Sequence, residues 1–282
     1  MYYRDLHDDE TSYKAEIKRL VNMDDTAIPD KLELPPLGIQ PKVFVNKHFG
    51  PNSRLPMAQF HKGTTTLAFV YKPKTAQDKG GVVVAVDSRA SGGQFISSKT
   101  VMKIIPINDR MVATMAGGAA DCLYWTRHVS KYCNLFELRE NTQISVAATS
   151  QYFANVMYGY RGRGFSVGSM VCGIDKSGPS VYLVQDTGAR LKIDTICAVG
   201  SGQMNAMAIA DSKYNEEMSD EEAVELGREA IVHSTFRDGG SGGQCNVCLI
   251  TSEGMTVFPP IDVSETYYKF MEKIGRSTVP EV

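Results

Sequence analysis

Three threonines follow a glycine at Gly63-Thr64-Thr65-Thr66, and further along the chain lone charges interrupt apolar stretches. Asp87 closes the run Val82 to Val86 and opens Asp87-Ser88-Arg89, while Lys103 sits inside the otherwise apolar VMKIIPI. Met115-Ala116-Gly117-Gly118 leads from strand-like into helix-like sequence. Two glycine-rich turns, Gly200-Ser201-Gly202 and Arg237-Asp238-Gly239-Gly240-Ser241-Gly242-Gly243, carry small polar groups. Hydroxyls, carboxylates and an ammonium are the groups on which nucleophilic catalysis draws. Each also has a plainer reading. GTTTLAF suits an edge strand, because threonine favours strands, and Lys103 suits a strand lysine whose ammonium reaches water past apolar neighbours.

Other chemistries find less support. Of five histidines only His128 and His233 fall in the folded part, both in predicted helices, whereas a Ser-His-Asp or Cys-His site needs one at a cleft. A hydrolase built on this chain must take its base from elsewhere. The glycines of GYRGRGFSVG follow a helix and precede a strand, the reverse of the order that aims amides at a phosphate, so a turn with solvated Arg161 and Arg163 is expected. Cys245 and Cys248 resemble a zinc pair, but no second pair accompanies them, and on a strand an offset of three sends the sulfurs to opposite faces. No metal and no cofactor are expected, and the six cysteines read as free buried thiols of a reducing compartment.

A net charge of -2 and a pI near 6.2 provide no basic field for nucleic acid or an anionic membrane. The opening MYYRDLHDDE lacks the apolar core of a secretory signal, and the longest apolar run is far short of the roughly 20 residues that cross a bilayer. The expected location is cytoplasm and nucleus, with neither nucleic acid nor membrane as partner.

The elements that must position these groups follow from periodicity. Six of 12 prolines fall in the first 63 residues, which read as an irregular extension with at most a short helix from Tyr13 to Val21. From Thr64 strands are predicted over Thr64 to Tyr71 and Val82 to Val86, forming a hairpin, then over Val101 to Ile107 and Met111 to Met115. Helical spacing follows at Cys122, Trp125, Val129, Cys133 and Phe136 and at Val146, Ser150, Phe153, Ala154 and Met157. Strands return over Ser166 to Ile174 and Val181 to Gln185, with Gly178-Pro179 as their turn, and over Ile193 to Val199. A capping box, Ser219 to Glu222, opens a helix with the buried stripe Ala223, Leu226, Gly227, Ala230 and Ile231. The last strands are Cys245 to Thr251 and Met255 to Phe258. Hairpins, a helix pair and strands again imply an α+β protein, for which a four-layer αββα sandwich fits.

GTTTLAF, VDSRAS, TVMKI, ATMAGGAADC, GSG and RDGGSGG occur in the order found in proteasome beta subunits, and the resemblance runs from Thr64 to about Phe258. TTTLAF with TMAGGAADC is most similar to the chymotrypsin-like branch. The resemblance implies the N-terminal nucleophile hydrolase fold, a propeptide over 1–63 removed by self-cleavage between Gly63 and Thr64, and a catalytic domain over 64–282. It implies Thr64 as nucleophile, Asp87 and Lys103 as its charged partners, Ser201, Asp238 and Ser241 as the supporting hydrogen-bond shell, and the Gly117 amide as oxyanion donor. Ala90, Val101, Met115 and Ala119 would line the pocket for a large apolar side chain, with Ser91 acting through its backbone, and Arg89 would be structural.

The implied chemistry suits the residue types. A freed Thr64 amine, ordinary pKa about 7.7 to 8.0, can take the proton of its own hydroxyl, and a Lys103 cation favours that deprotonation. Gly63 would let the precursor bend sharply. The implied partners are other beta subunits in a heteroheptameric ring, the alpha ring, assembly chaperones and unfolded polypeptide substrates. Two departures stand out: the extra residues KPKTAQDKG in the first hairpin, placed in a surface turn, and Gly239-Gly240 where the family commonly has Ala-Tyr. The alternatives are a structural ring subunit whose Thr64 is never unmasked, and a different amidohydrolase of the same fold class.

Overall fold

The computed structural model describes residues 63–92 and 95–273. The described residues belong to one compact unit, Phe60–Val282. The expected Tyr13 to Val21 helix lies outside them. Among the described residues fifteen strands run in chain order as β1 Thr65–Pro73, β2 Gly81–Val86, β3 Ala90–Gly92, β4 Phe95–Ser98, β5 Ile104–Asn108, β6 Met111–Thr114, β7 Ala116–Gly117, β8 Val167–Asp175, β9 Gly178–Gln185, β10 Arg190–Ile193, β11 Ile196–Gly200, β12 Glu217–Met218, β13 Gln244–Thr251, β14 Gly254–Val257 and β15 Ile261–Asp262. Helices are α1 Ala119–Glu140, α2 Val146–Gly159, α3 Gln203–Lys213, α4 Asp220–Arg237 and α5 Val263–Lys273.

Along β1 successive side chains point to opposite faces, and both faces are apolar: Leu67, Phe69 and Tyr71 on one, Ala68 and Val70 on the other. A strand with two apolar faces must lie between layers. It pairs antiparallel with β2, giving the expected hairpin, in a first sheet ordered β11-β1-β2-β13-β14. The second sheet runs β10-β9-β8-β6-β5, with β7 added to β8. Three cores follow. One lies between the first sheet and α3 and α4, one between the second sheet and α1 and α2, and one between the sheets, where Ala68, Val84 and Cys248 join Met170, Cys172 and Val181. Helix, sheet, sheet and helix make the αββα sandwich expected from the order of elements. Cys245 and Cys248 fall in different cores, as an offset of three on a strand requires.

Local differences from the sequence reading have physical causes. The strand expected from Val101 begins at Ile104: Val101 N–H turns away to donate to Ser88 O at 2.9 Å, while Lys103 O accepts from Met115 N–H at 2.9 Å in the register of the β5–β6 pair. The turn placed at Gly178-Pro179 is Lys176-Ser177, for Gly178 and Pro179 already pair with Asp175 and Ile174. Pro179 lies outside Val181–Val184, the part of β9 that pairs with β10, so its missing N–H forfeits no bond there. The single strand expected over Ile193 to Val199 is two, β10 in the second sheet and β11 in the first. Helix α3, the β3–β4 hairpin and α5 went unread.

Candidate active site

The N-terminal end of β1 is held between two glycine-rich turns, and that places Thr64. Its neighbour Thr65 pairs with Gly200 of β11, and the Thr64 N–H donates to Ser201 Oγ at 3.1 Å. The Thr64 hydroxyl donates to the Gly63 carbonyl oxygen at 2.6 Å and accepts from Lys103 Nζ at 2.9 Å. The expected nucleophile and the peptide expected to be cut thus share one hydrogen bond, with an ammonium on the hydroxyl oxygen.

Lys103 is 2% exposed, and its ammonium also donates to Asp87 Oδ1 at 2.7 Å. The alternative of a lysine reaching for water is therefore overturned: the side chain runs inward. Asp87, at the end of β2, is fully buried and accepts further from Thr65 N–H at 3.0 Å and Gly242 N–H at 3.0 Å. Burial holds Lys103 below the ordinary lysine pKa and Asp87 above the ordinary aspartate one, with their mutual attraction opposing both shifts.

A second carboxylate gathers the hydroxyls. Asp238, just past α4, accepts from Ser201 Oγ and Ser241 Oγ, each at 2.6 Å, and from Gly240 N–H at 3.0 Å. Burial alone would raise its pKa, but the Ser201 and Ser241 bonds outweigh that and hold it below the usual aspartate value. Ser241 Oγ also bonds Thr65 Oγ1 at 2.8 Å, and Thr65 Oγ1 bonds Ser234 Oγ at 2.8 Å. Ser234 Oγ donates onward to Gly202 O at 2.8 Å.

Thr64 opens onto a cavity of about 390 Å³. All five expected substrate-binding residues, Ala90, Ser91, Val101, Met115 and Ala119, line it, together with Gly117, Ser97, Arg89 and Asp121. Gly117 has φ +113, a conformation side-chain-bearing residues rarely adopt, and a Cβ there would stand 2.4 Å from Ser166 O. Two bonds tie the residues after Gly117 to Ser166, just before β8: Gly118 N–H donates to Ser166 O at 2.8 Å, and Asp121 Oδ2 accepts from Ser166 N–H at 3.2 Å.

The family model described as proteasome subunit matches residues 60–250. The chain belongs to the proteasome subunit family. It is 58% identical over 241 residues to the proteasome subunit pbs-5 of Caenorhabditis elegans, covering 86% of this chain and 84% of that one. It is 50% identical over 214 residues to proteasome subunit beta type-5-A of Arabidopsis thaliana, covering 76% and 75%. With the rat proteasome subunit beta type-8 it shares 43% over 237 residues, covering 84% and 83%.

For a proteasome subunit the six motifs lie far apart in sequence, yet the fold brings Thr64, Asp87, Lys103, Ser201, Asp238 and Ser241 into one hydrogen-bonded group beside Gly117. Arg89, expected to be structural, is in the cavity wall, with its N–H on Asp87 Oδ2 at 3.3 Å. Sequence reading missed Thr65, Ser234 and Asp121. Ser234 carried a signal, a hydroxyl continuing the apolar stripe of α4 at helical spacing from Ala230 and Ile231. Gly63 was expected to let the precursor bend sharply; its φ is not left-handed, and the structure adds a demand for close approach, since a Cβ would lie 2.2 Å from Gly240 O. Among the described residues no three His, Cys, Asp or Glu side chains gather as a metal site needs, and no helix is long and apolar enough to cross a membrane. His128 and His233 lie on α1 and α4 and are not among the residues lining the cavity.

Proposed function

We propose that Thr64 is the nucleophile of this subunit's threonine endopeptidase activity, unmasked by self-cleavage at Gly63-Thr64, and that the chain cuts polypeptides after large apolar residues. The observation that carries this is the Lys103 ammonium bonded at once to Thr64 Oγ1 and Asp87 Oδ1. The freed Thr64 amine, beside Ser201, takes the hydroxyl proton. Oγ attacks the substrate carbonyl, the Gly117 amide receives the developing oxyanion, and water releases the ester. Lys103 lowers the cost of the alkoxide and disfavours a second cation on the amine.

Ala90, Val101, Met115 and Ala119 carry no charge and two of them are alanines, while among the charged residues of the same wall Lys103 is engaged by Asp87 and Asp121 by the Ser166 N–H. Burying a leucine or aromatic ring there gains roughly 1.5 to 3 kcal/mol, while an unpaired charge costs several. The subunit works in a heteroheptameric beta ring stacked on an alpha ring, put together with assembly chaperones, in cytoplasm and nucleus, and degrades unfolded polypeptides. The expected absence of cofactor fits a base supplied by the chain's own terminus.

Assembled particles, wild type and Thr64→Ala, are assayed with fluorogenic peptides differing only in the residue before the cut. Cleavage after Tyr or Leu is expected to vanish in the variant and cleavage after Lys or Asp to persist on other subunits. The reverse pattern would overturn the assignment.

A further inference from the structure

Helix α1 begins without a side-chain cap: Gly118 stands at its N-cap, and Asp121 is the acidic residue of its first turn. An acid there is ordinary, since the helix dipole favours it. The direction in which Asp121 reaches is not. In a capping box the carboxylate three residues past the cap returns to the cap residue's own N–H. Here Gly118 N–H is on Ser166 O at 2.8 Å and Asp121 Oδ2 is on Ser166 N–H at 3.2 Å, so two groups that could close on each other hold both backbone polar groups of Ser166. The fit is close, because a Cβ at Gly118 would stand 2.7 Å from Asp121 Oδ2. Ser166 is also the backbone against which Gly117 rests, its O 2.4 Å from the place of a Gly117 Cβ. From the same turn of α1, Cys122 Sγ donates to Ala116 O at 3.3 Å, the carbonyl of the peptide whose N–H belongs to Gly117. Strand β7 itself has only two residue pairs with β8, Ala116 with Gly168 and Gly117 with Val167, a short ladder for a group that must be aimed.

We propose that Asp121 is a positioning residue for acyl transfer, holding Ser166 so that the Gly117 amide stays aimed at the oxyanion. This rests on the reading of Thr64 as nucleophile and of the Gly117 amide as oxyanion donor. Asp121 lines the cavity, but the oxygen that accepts from Ser166 is committed to the backbone, so its part is to fix the wall that carries Gly117. Oxyanion donors act because they are already in place when charge develops, and a misplacement of about 1 Å can cost about 10²-fold in rate. Without the carboxylate, Ser166 keeps the Gly118 bond at its oxygen and loses the one at its nitrogen, which frees the peptide to turn about the remaining contact. The effect belongs to the tetrahedral state and leaves the apolar pocket for the substrate side chain as it is.

The test uses assembled particles in which Thr64 has been exposed by an unrelated protease acting on a cleavable leader, so that turnover does not depend on self-cleavage. Wild type, Asp121→Ala and Asp121→Asn are compared for kcat and KM on a fluorogenic peptide cut after Tyr. They are compared also for affinity toward a peptide aldehyde, which forms a tetrahedral adduct with the Thr64 hydroxyl, and toward the matching peptide amide, which does not. Asp121→Ala is expected to lower kcat at least about tenfold with KM within about twofold of wild type, and to weaken the aldehyde by a similar factor while the amide binds as before. Asp121→Asn keeps an acceptor of the same length for the Ser166 N–H and should restore kcat to within about threefold of wild type. Wild-type kcat in Asp121→Ala, a loss confined to KM or shared by the amide, an asparagine variant as impaired as the alanine one, or failure of the alanine variant to assemble would each overturn the proposal. Precleaved wild-type particles whose cleavage after Tyr survives Thr64→Ala would refute the reading of Thr64, and the proposal with it.

Discussion

Lys103 donates to a carboxylate and a hydroxyl from a site 2% exposed, so its charge is set by its neighbours rather than by solvent. Lys103→Ala should therefore lower turnover per assembled, precleaved particle by at least about 10²-fold, the usual range for a positioned proton-transfer or charge-stabilising group. Lys103→Arg should not restore it, since a planar guanidinium cannot take an ammonium's place between Asp87 and Thr64. Turnover equal to wild type in either variant would contradict the role. The pH profile supplies a second check. Deprotonating Lys103 removes the cation, and burial lowers its pKa, so kcat/KM should fall on the alkaline side at a pH below about 10.4, the ordinary lysine value. The acid side is a poorer reporter, because the Thr64 amine must also lose its proton there. At this scale the sequence was legible where a charge interrupts an apolar run, as at Asp87 and Lys103. It was silent at Thr65, whose hydroxyl links Ser234 to Ser241 but which, in a run of strand-forming threonines, looks like its neighbours.

Elements were legible in proportion to the strength of their pattern. Helix α4 opens on a capping box that forms as expected, Ser219 Oγ accepting from Glu222 N–H at 3.1 Å and Glu222 Oε2 from Ser219 N–H at 3.0 Å. Ser219→Ala should cost about 1 kcal/mol, read from the urea midpoint of the isolated chain. Helix α3 has no such flag: it starts at Gly202 without a side-chain cap and buries only the small residues Ala206 and Ala210. The passage from β10 to β11 was invisible because an unbroken apolar pattern does not show that the chain changes sheets. The two-residue strand β7 was also beyond sequence reading, yet it sets the peptide proposed to receive the oxyanion. Gly117→Ala combines a strained φ of +113 with a Cβ 2.4 Å from Ser166 O. It should lower kcat by about 10² to 10³-fold, the usual effect of losing one oxyanion donor, with a smaller change in KM. An effect on KM alone would place Gly117 in substrate binding instead.

For the whole molecule, two sheets stacked between helix layers leave one edge where β1, the turn after β11 and the turn after α4 converge, and that edge carries the site. Order of elements sufficed for the layers, because strands apolar on both faces, such as β1 and β2, require cover on both sides. Which strand ends meet is not written in periodicity, and only the ordered set of motifs pointed there. Everything at this edge turns on the hydroxyl now bonded to the Gly63 carbonyl, proposed to cut its own peptide and to remain as the nucleophile. The direct measurement is the N-terminal sequence and intact mass of this chain taken from assembled particles. The expected result is a start at TTTLAF and the 282-residue chain less its first 63 residues, 219 in all, with the Thr64→Ala chain retaining Gly63. A wild-type chain in active particles that still carries Gly63 on Thr64 would contradict it.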